Sequence, residues 1–260
     1  MRRVAVAAVV LIAAMLGGCG GGAAPSTVVR AAGTEYAYVM PDTITGGVVS
    51  MEFANVGKES HEFGLGRLKP GTTLADFRRQ LTNGDNKGPA GSVDVGGVPL
   101  LSPGKHVTIT RTLQSGTYVL VCFVPAPDRR THFAHGMIRS FEVSGDTGDE
   151  LPAADGVIVA HDSSYDVPEL AGGTKTIELR NAASGDREFN LISLNPGKTL
   201  ADAGRWFNQG QKGPAPLVFL GAMQSIPSGT SVFLTVDLEK GRSYVVFEGE
   251  HNVRATLAVK

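Results

Sequence analysis

Much of the chain beyond residue 33 alternates apolar and polar positions with the period of two that half-buried strands require. The clearest runs are rich in β-branched and aromatic residues and are bounded by glycine, proline or asparagine: TEYAYVM (34–40), VVSMEFAN (48–55), HVTITRTL (106–113) and GTYVLVCFV (116–124). The segment TLADFRRQL is different, because Leu74, Phe77 and Leu81 recur at helical spacing and Thr73 can cap the start. The pattern predicts an all-β fold with one short helix in a long connection.

This pattern occurs twice along the chain, as an internal sequence repeat. Three stretches recur in the same order: LKPGTTLADF (68–77) with LNPGKTLADA (194–203), KGPA (87–90) with KGPA (212–215), and LQSGTYVLV (113–121) with LEKGRSYVVF (238–247). A repeat this long indicates a duplicated domain, since solenoid units have much shorter periods. The segment 144–155 is polar and carries glycine and proline, as domain linkers do. We therefore predict two tandem β-sandwiches, over 33–143 and 156–260.

The N-terminus has the pattern of an export signal. The letters MRR give a basic start, and residues 4–16 form an apolar run too short to span a bilayer comfortably. LGG then precedes Cys19, which resembles the lipobox of bacterial lipoproteins, where the cysteine is acylated. We predict a signal peptide over 1–18, then a lipidated Cys19 and flexible tether over 19–32, holding the protein on the extracytoplasmic face of the cell membrane. An ordinary signal peptide followed by a chance cysteine is the alternative.

Charge and cysteine content narrow the range of functions that the protein could have. With 24 basic and 25 acidic residues the net charge is −1, and no basic patch favours a nucleic-acid partner. The chain has two cysteines, Cys19 and Cys122. If Cys19 carries lipid, Cys122 has no disulfide partner, and a lone thiol outside the cytoplasm needs protection from oxidation. Burial in the core is one protection, and a bound metal is the other.

The residues around Cys122 favour a bound metal over simple burial as the protection of its thiol. The stretch CFVPAPDRRTHFAHGM (122–137) also contains His132, His135 and Met137, and His61 stands in the upstream turn NVGKESHEF. A soft thiolate, two imidazoles and a weak thioether form the ligand set of a blue-copper site. Each residue alone has a simpler explanation, as a buried thiol, a loop histidine or strand packing. His135 is a rival to His132 as the second imidazole.

These motifs resemble the cupredoxins, the plastocyanin and azurin family. The resemblance rests on YAYVMPDTITGGVVSMEFANVGKESHEF (36–63), on GTYVLVC (116–122) and on the spacing within HFAHGM (132–137). It implies Greek-key sandwiches and one copper ion, held by His61, Cys122 and His132 in a plane with Met137 axial. The sequence departs from the family in a long gap between the cysteine and the histidine. It also departs at Glu62, where many relatives have an asparagine that ties the two ligand loops together.

The second copy lacks this ligand set. Arg187 stands where the first copy has His61, and Glu248 stands where it has Cys122. We predict that this copy is degenerate and holds no copper. These opposite charges suggest an ion pair in a bidentate fork that closes the vacant pocket. The alternative is that both side chains point to solvent, as charged residues usually do.

The expected function is one-electron transfer at the cell surface with an unknown redox partner protein. The chain contains no H-x-H pair of the kind that catalytic copper sites use, and no hydrolase, zinc-protease or phosphate-loop motif, so we predict that it is not an enzyme. Two alternatives remain open at this point. One is a copper sequestration or delivery protein, and the other is a metal-free binding module that keeps only the fold.

Overall fold

The computed structural model describes residues 28–82, 90–249 and 253–260. In its first half, short strands succeed one another along the chain, and a helix, α1 (Leu74–Thr82), separates the fifth strand from the sixth. The strands are β1 (Val29–Thr34), β2 (Ala37–Val39), β3 (Thr43–Thr45), β4 (Gly47–Asn55), β5 (His61–Leu68), β6 (Ser92–Leu101), β7 (His106–Leu113), β8 (Gly116–Val121) and β9 (Ile138–Ser144). A single 3-10 turn, Phe133–His135, lies between the last two strands.

The second half follows the same plan, with helix α2 (Leu200–Asn208) in the matching connection. Its strands are β10 (Gly156–Ala160), β11 (Tyr165–Asp166), β12 (Gly173–Asn181), β13 (Arg187–Leu194), β14 (Leu217–Ile226), β15 (Ser231–Leu238), β16 (Ser243–Glu248) and β17 (Val253–Ala258). The prediction of an all-β fold with a short helix in each half is confirmed.

The two halves share both of their sheets. One sheet has eight strands in the order β11-β10-β12-β15-β7-β4-β1-β2, and the other has nine in the order β17-β16-β13-β14-β6-β5-β8-β9-β3. The halves join where β15 pairs with β7, with Leu234 opposite Ile109, and where β14 pairs with β6, with Leu220 opposite Leu101. Strands that would otherwise be exposed edges of each half are therefore covered by the other half.

The core follows from the alternation in the sequence. In β4, for example, Val49, Met51 and Phe53 are buried while the residues between them are partly exposed. The inward residues of both sheets form one continuous apolar cluster that runs from the first half to Ile177 and Phe189 in the second. The site described below therefore sits on a framework held by the packing of the whole molecule.

Each helix lies over a small satellite cluster and begins with a threonine cap. Phe77 of α1 packs with Leu68 and Val119. The hydroxyl of Thr199 accepts a hydrogen bond from the backbone N–H of Asp202 at 3.2 Å, while the Asp202 carboxylate accepts from the backbone N–H of Thr199 at 2.8 Å. This reciprocal capping box satisfies helix donors that would otherwise lack partners.

The start of the folded part differs from the sequence prediction. Strand β1 begins at Val29, inside the segment 19–32 assigned to the tether, and pairs in parallel with β4 through Val29 opposite Met51. The sequence of that strand, VRAAGT, consists largely of small residues, so it shows no clear alternation of apolar and polar positions. The proposed signal peptide and Cys19 lie outside the described residues. Among the described residues, neither helix has the length or the apolar character needed to cross a membrane.

Candidate metal centre

The topology brings three of the candidate ligands to one end of the first half. His61 is the first residue of β5, and Cys122 follows directly after the end of β8. These two strands are antiparallel neighbours, with Gly64 opposite Val121, so the start of one lies beside the end of the other. His132 reaches the same place from the loop after Cys122, immediately before the 3-10 turn.

The donor atoms of these residues converge in the interior. The possible ligand atoms of His61, Cys122 and His132 all lie within 4.8 Å of one another. The two Nδ1 atoms are 3.1 Å apart, and Cys122 Sγ is 3.3 Å from His132 Nδ1. All three side chains are fully buried. Two imidazoles and a thiol that converge in this way fit a copper ion, whose soft form prefers the thiolate and which binds imidazole in both oxidation states.

Burial also sets the protonation of the site. It raises the pKa of the Cys122 thiol to about 12, against the hydrogen bond from the Glu62 backbone that favours the thiolate. Burial first, and the charge of His132 second, lower the pKa of His61 to about 4. The metal-free site therefore holds a neutral thiol and a neutral imidazole at pH 7. A metal that binds the thiolate must displace the thiol proton.

Met137 lies beside this group and is itself fully buried. Its backbone N–H donates to the carbonyl of His132 at 2.9 Å, and its carbonyl accepts from the backbone N–H of Cys122 at 3.3 Å. These bonds close the ligand loop on itself and hold Met137 next to both ligands. Its thioether belongs to the same apolar cluster as Cys122.

His135 does not join the group. Its Nε2 atom is 3.0 Å from the carboxylate of Asp128, and its ring stacks on Tyr36 with 4.6 Å between centroids. The side chain is directed across the outside of the loop, while His132 is directed inward. Of the two rival histidines, the structure places His132 at the converging atoms.

The two ligand loops are tied together through Glu62 rather than through an asparagine amide. The backbone N–H of Glu62 donates to Cys122 Sγ at 3.3 Å, and one carboxylate oxygen of Glu62 accepts from the backbone N–H of Phe123 at 2.9 Å. The carboxylate thus couples the loops as an acceptor, although it cannot donate as an asparagine would. Burial raises the pKa of this carboxyl group, which the Phe123 hydrogen bond offsets in part.

Asn55 supports the loop before His61, and the pattern analysis did not single it out. Its Nδ2 donates to the carbonyls of Glu59 at 2.7 Å and Leu101 at 2.8 Å, and its Oδ1 accepts from the backbone N–H of Gly57 at 2.9 Å. Asparagine side chains commonly accept the backbone N–H two residues further on in turns, so Asn55 itself was the local signal for this turn. Asn55 fixes the loop that leads into the first ligand.

The corresponding position in the second half contains a buried ion pair. Arg187 Nε lies 3.6 Å from Glu248 Oε2, and the side chains are only 6% and 4% exposed. The guanidinium also donates to Asp162 at 3.2 Å, and Glu248 Oε1 accepts the backbone N–H of Glu188 at 3.2 Å. The predicted pair is confirmed, but the bidentate fork is wrong, because the terminal guanidinium nitrogens donate to Asp162 and to the carbonyl of Asp186, and only Nε faces Glu248.

The remaining described histidines lie on the surface. His106 is 3.7 Å from Asp237, and His161 is 2.9 Å from Asp166. All four side chains are substantially exposed. They match the sequence interpretation of these histidines as ordinary surface or core residues. His251 lies outside the described residues.

No protein-family model and no curated protein matches the sequence. Among solved structures, a dithionite-reduced auracyanin from Roseiflexus castenholzii is 24% identical and covers 46% of this chain and 99% of its own, with a TM-score of 0.31. Auracyanin A, a "blue" copper protein from Chloroflexus aurantiacus, is 22% identical over 45% of this chain and 98% of its own, with a TM-score of 0.31. A multicopper oxidase is 14% identical over 90% of this chain and 88% of its own, with a TM-score of 0.24. Likenesses with TM-scores this low assign neither a family nor an activity, and the site geometry carries the functional conclusion.

Proposed function

We propose that the first half of this chain binds one copper ion and passes single electrons to and from a redox partner protein. The observation that carries the proposal is the convergence of His61, Cys122 and His132, whose donor atoms lie within 4.8 Å of one another in a fully buried site. Two imidazoles and a thiolate, with a methionine beside them, are the donors of electron-transfer copper sites.

The support around the ligands favours electron transfer. Two of the ligands sit at the ends of paired strands, and the backbone of Met137 is bonded to both Cys122 and His132. Glu62 ties the two ligand loops together through its backbone and its carboxylate. A framework of this kind limits how far the ligands move when the charge of the metal changes. Small movement lowers the barrier to electron transfer, which is why a rigid sandwich suits a carrier.

A second candidate is copper storage or delivery without redox turnover. The observation that favours it is the burial of both histidines, each 0% exposed. Neither ring is accessible to a redox partner at the protein surface. Storage predicts slow metal release and slow electron exchange, whereas a carrier predicts rapid and reversible exchange. The two candidates share the same ligands and differ only in kinetics.

We propose that the chain is not an enzyme. Catalytic copper centres need further histidine ligands, and within residues 28–82, 90–249 and 253–260 a single cluster of three potential ligands occurs. His135, His106 and His161 each face a carboxylate instead.

We further propose that the two halves arose by duplication, and that the second half is a scaffold. Corresponding residues make corresponding bonds: the Tyr38 hydroxyl donates to the carbonyl of Glu62 at 2.5 Å, and the Tyr165 hydroxyl donates to the carbonyl of Glu188 at 2.7 Å. The second half also supplies β14 and β15, which cover β6 and β7 of the first. This structural role explains why the second half has been kept although it lacks the copper ligands.

Attachment to the membrane through Cys19 is part of the proposal and rests on the LGGC motif. Replacing Cys19 with alanine is expected to release the protein from the membrane fraction. Retention of that variant in membranes would indicate an uncleaved N-terminal helix in place of a lipid.

The copper proposal is tested by adding Cu(II) to the purified soluble part of the chain. We expect an intense visible absorption band from charge transfer between the Cys122 thiolate and the metal, at one copper per chain. Stopped-flow oxidation and reduction then separate a carrier from a store. Absence of the band together with absence of bound copper would leave only a metal-free binding module.

A further inference from the structure

Each histidine of the cluster has a carboxylate near its outer ring nitrogen. Glu59 Oε2 lies 2.9 Å from Nε2 of His132. Glu35 Oε1 lies 3.6 Å from Nε2 of His61, which has no hydrogen-bond partner within the described part of the chain. Neither glutamate belongs to the candidate ligand set.

The two carboxylates are held in place by their own contacts. Glu35 accepts the backbone N–H groups of Lys58 and of Glu59, the latter at 3.0 Å, which draws the loop before His61 over the site. The hydroxyl of Tyr36 donates to the second oxygen of Glu59 at 3.2 Å. The carboxylates are therefore positioned before any metal binds.

The close approach of this loop requires glycine at position 57. A Cβ atom on Gly57 would lie 2.7 Å from Nε2 of His61 and would also collide with the carboxylate of Glu35. The loop thus packs its backbone directly against the outer edge of the ligand ring. Only glycine at this position lets the loop approach His61 with Glu35 beside the ring.

A carboxylate at Nε2 decides which ring nitrogen carries the proton. An ionised carboxylate only accepts hydrogen bonds, so the ring nitrogen that faces Glu59 is the donor; in a neutral imidazole, which has one N–H, this places the proton of His132 on Nε2. Nδ1 of His132 then has a free lone pair, which the Cys122 thiol can meet as a weak donor at 3.3 Å. Nδ1 of His61 lies only 3.1 Å away. The two nitrogens are close enough to share one proton in the metal-free protein, and a metal ion that binds both rings would replace that proton.

We propose that Glu59 is a positioning residue that holds His132 in the metal-binding tautomer, and that the negative charges of Glu59 and Glu35 favour the more highly charged state of the metal. The inference rests on the proposed copper function and deepens it. Hydrogen bonds from ligand imidazoles to carboxylates raise the basicity of the ligand. A nearby anion also attracts Cu(II) more strongly than Cu(I), so the pair lowers the reduction potential. Glu59 has the larger effect because its contact is shorter.

The electrostatic part is tested with the full chain by replacing Glu59→Gln, Glu35→Gln and, as a matched control, Glu142→Gln. Glu142 is exposed on β9 opposite Thr117, at the far end of β8 from Cys122. Affinities for Cu(II) and Cu(I) are measured separately by chelator competition, and the reduction potential by redox titration. For E59Q we expect a loss of Cu(II) affinity of about tenfold or more. Cu(I) affinity falls less, and the potential rises by about 59 mV for each tenfold change in the affinity ratio.

The tautomer part needs no metal. Nitrogen-15 NMR of the metal-free protein should show His132 protonated at Nε2 in the wild type and in E59Q, whose amide oxygen still accepts a hydrogen bond. In Glu59→Ala the ring should become a mixture of tautomers. A wild-type His132 protonated at Nδ1 would overturn the inference whatever the copper results.

The outcomes separate the two proposals. If the wild-type chain binds copper and E59Q matches E142Q in both affinities and in potential, this inference is wrong and the copper function stands. Equal losses of Cu(II) and Cu(I) affinity in E59Q without a change of potential would also overturn it, since they indicate mere loosening of the loop. If the wild-type chain binds no copper, the proposed function fails first, and the electrostatic part fails with it.

Discussion

Arg187 and Glu248 form a buried ion pair, with 3.6 Å between Nε and Oε2, at the positions where the first half has His61 and Cys122. The backbone N–H of Glu188 donates to Glu248 at 3.2 Å, as that of Glu62 donates to Cys122 at 3.3 Å. The second half has therefore kept the local geometry of a ligand site while exchanging a neutral imidazole and a thiol for opposite charges. The pair holds two segments together that a metal would otherwise join.

Breaking this pair is expected to destabilise the protein strongly. Glu248→Leu leaves the Arg187 charge buried with the exposed Asp162 as its remaining acidic partner, and this costs about 3 kcal/mol of unfolding free energy. The double variant Arg187→Met, Glu248→Leu removes both charges and should recover much of that loss. Urea unfolding of both variants measures the difference. Equal losses in the single and double variants would mean that packing, and not charge, holds the site.

The ligand assignment predicts unequal effects at neighbouring positions. Cys122→Ser should abolish the charge-transfer band and weaken copper binding, because it removes the thiolate while nearly preserving shape. His132→Ala should also lose copper. His135→Ala should retain it, since that ring contacts Tyr36 and Asp128 outside the site. Isothermal titration with copper checks the order, and a larger loss for His135→Ala than for His132→Ala would reverse the assignment.

Asn55 and Asn181 provide a matched pair for separating stability from metal binding. Asn181 donates to the carbonyls of Gly185 at 2.8 Å and Ile226 at 2.7 Å, as Asn55 does to its own loop. Alanine at either position strands buried backbone groups and should cost about 2–3 kcal/mol in unfolding free energy. Asn55→Ala should also lower copper affinity, because its loop carries Glu59 and leads to His61. A loss of affinity in Asn181→Ala would contradict the division of roles between the halves.

The hydrogen bonds at the N-terminal cap of α1 lead to a prediction about the pKa of Asp76. The hydroxyl of Thr73 donates to the Asp76 carboxylate at 2.6 Å, and this bond, with the backbone N–H of Thr73, lowers the pKa of Asp76 to about 2. Because the folded pKa is depressed, the stabilisation is complete above the ordinary pKa of the group and disappears as the pH falls towards 2. Thr73→Ala should move the Asp76 midpoint upward in a carbon-13 NMR titration. Asp202, capped by Thr199 in the other half, should not move.

The sequence was sufficient for most of the elements, although not for the start of β1, and for the candidate ligand group. Alternation and helical spacing are local, so the strands and helix α1 follow from them. His61, Cys122 and His132 could be named together because their chemistry is rare in this chain. The residue types alone do not say whether the three side chains meet, and the structure shows that their donor atoms lie within 4.8 Å of one another.

The sequence was not sufficient for contacts set by tertiary packing. Nothing in the pattern of β7 states that β15 of the other half lies beside it, because an edge strand pairs equally well with several partners. The same limit hid Glu59 and Glu35, whose letters look like ordinary surface charges. Arg187 also has two acidic neighbours in space, and only the folded chain shows that its hydrogen bonds go to Asp162 while Glu248 faces Nε at 3.6 Å.

The pairing of β1 with β4 has a mechanical consequence. The two strands are parallel, from Val29 opposite Met51 to Gly33 opposite Asn55, and β1 is the first described strand. Tension that reaches the domain through Val29 and acts along the strand loads all of these hydrogen bonds together, in shear, instead of peeling them apart one at a time. Such a ladder yields only when many bonds fail at once. A copper centre built behind it, with Gly33 packed near Met137, would be shielded from forces that pull on the chain from that side.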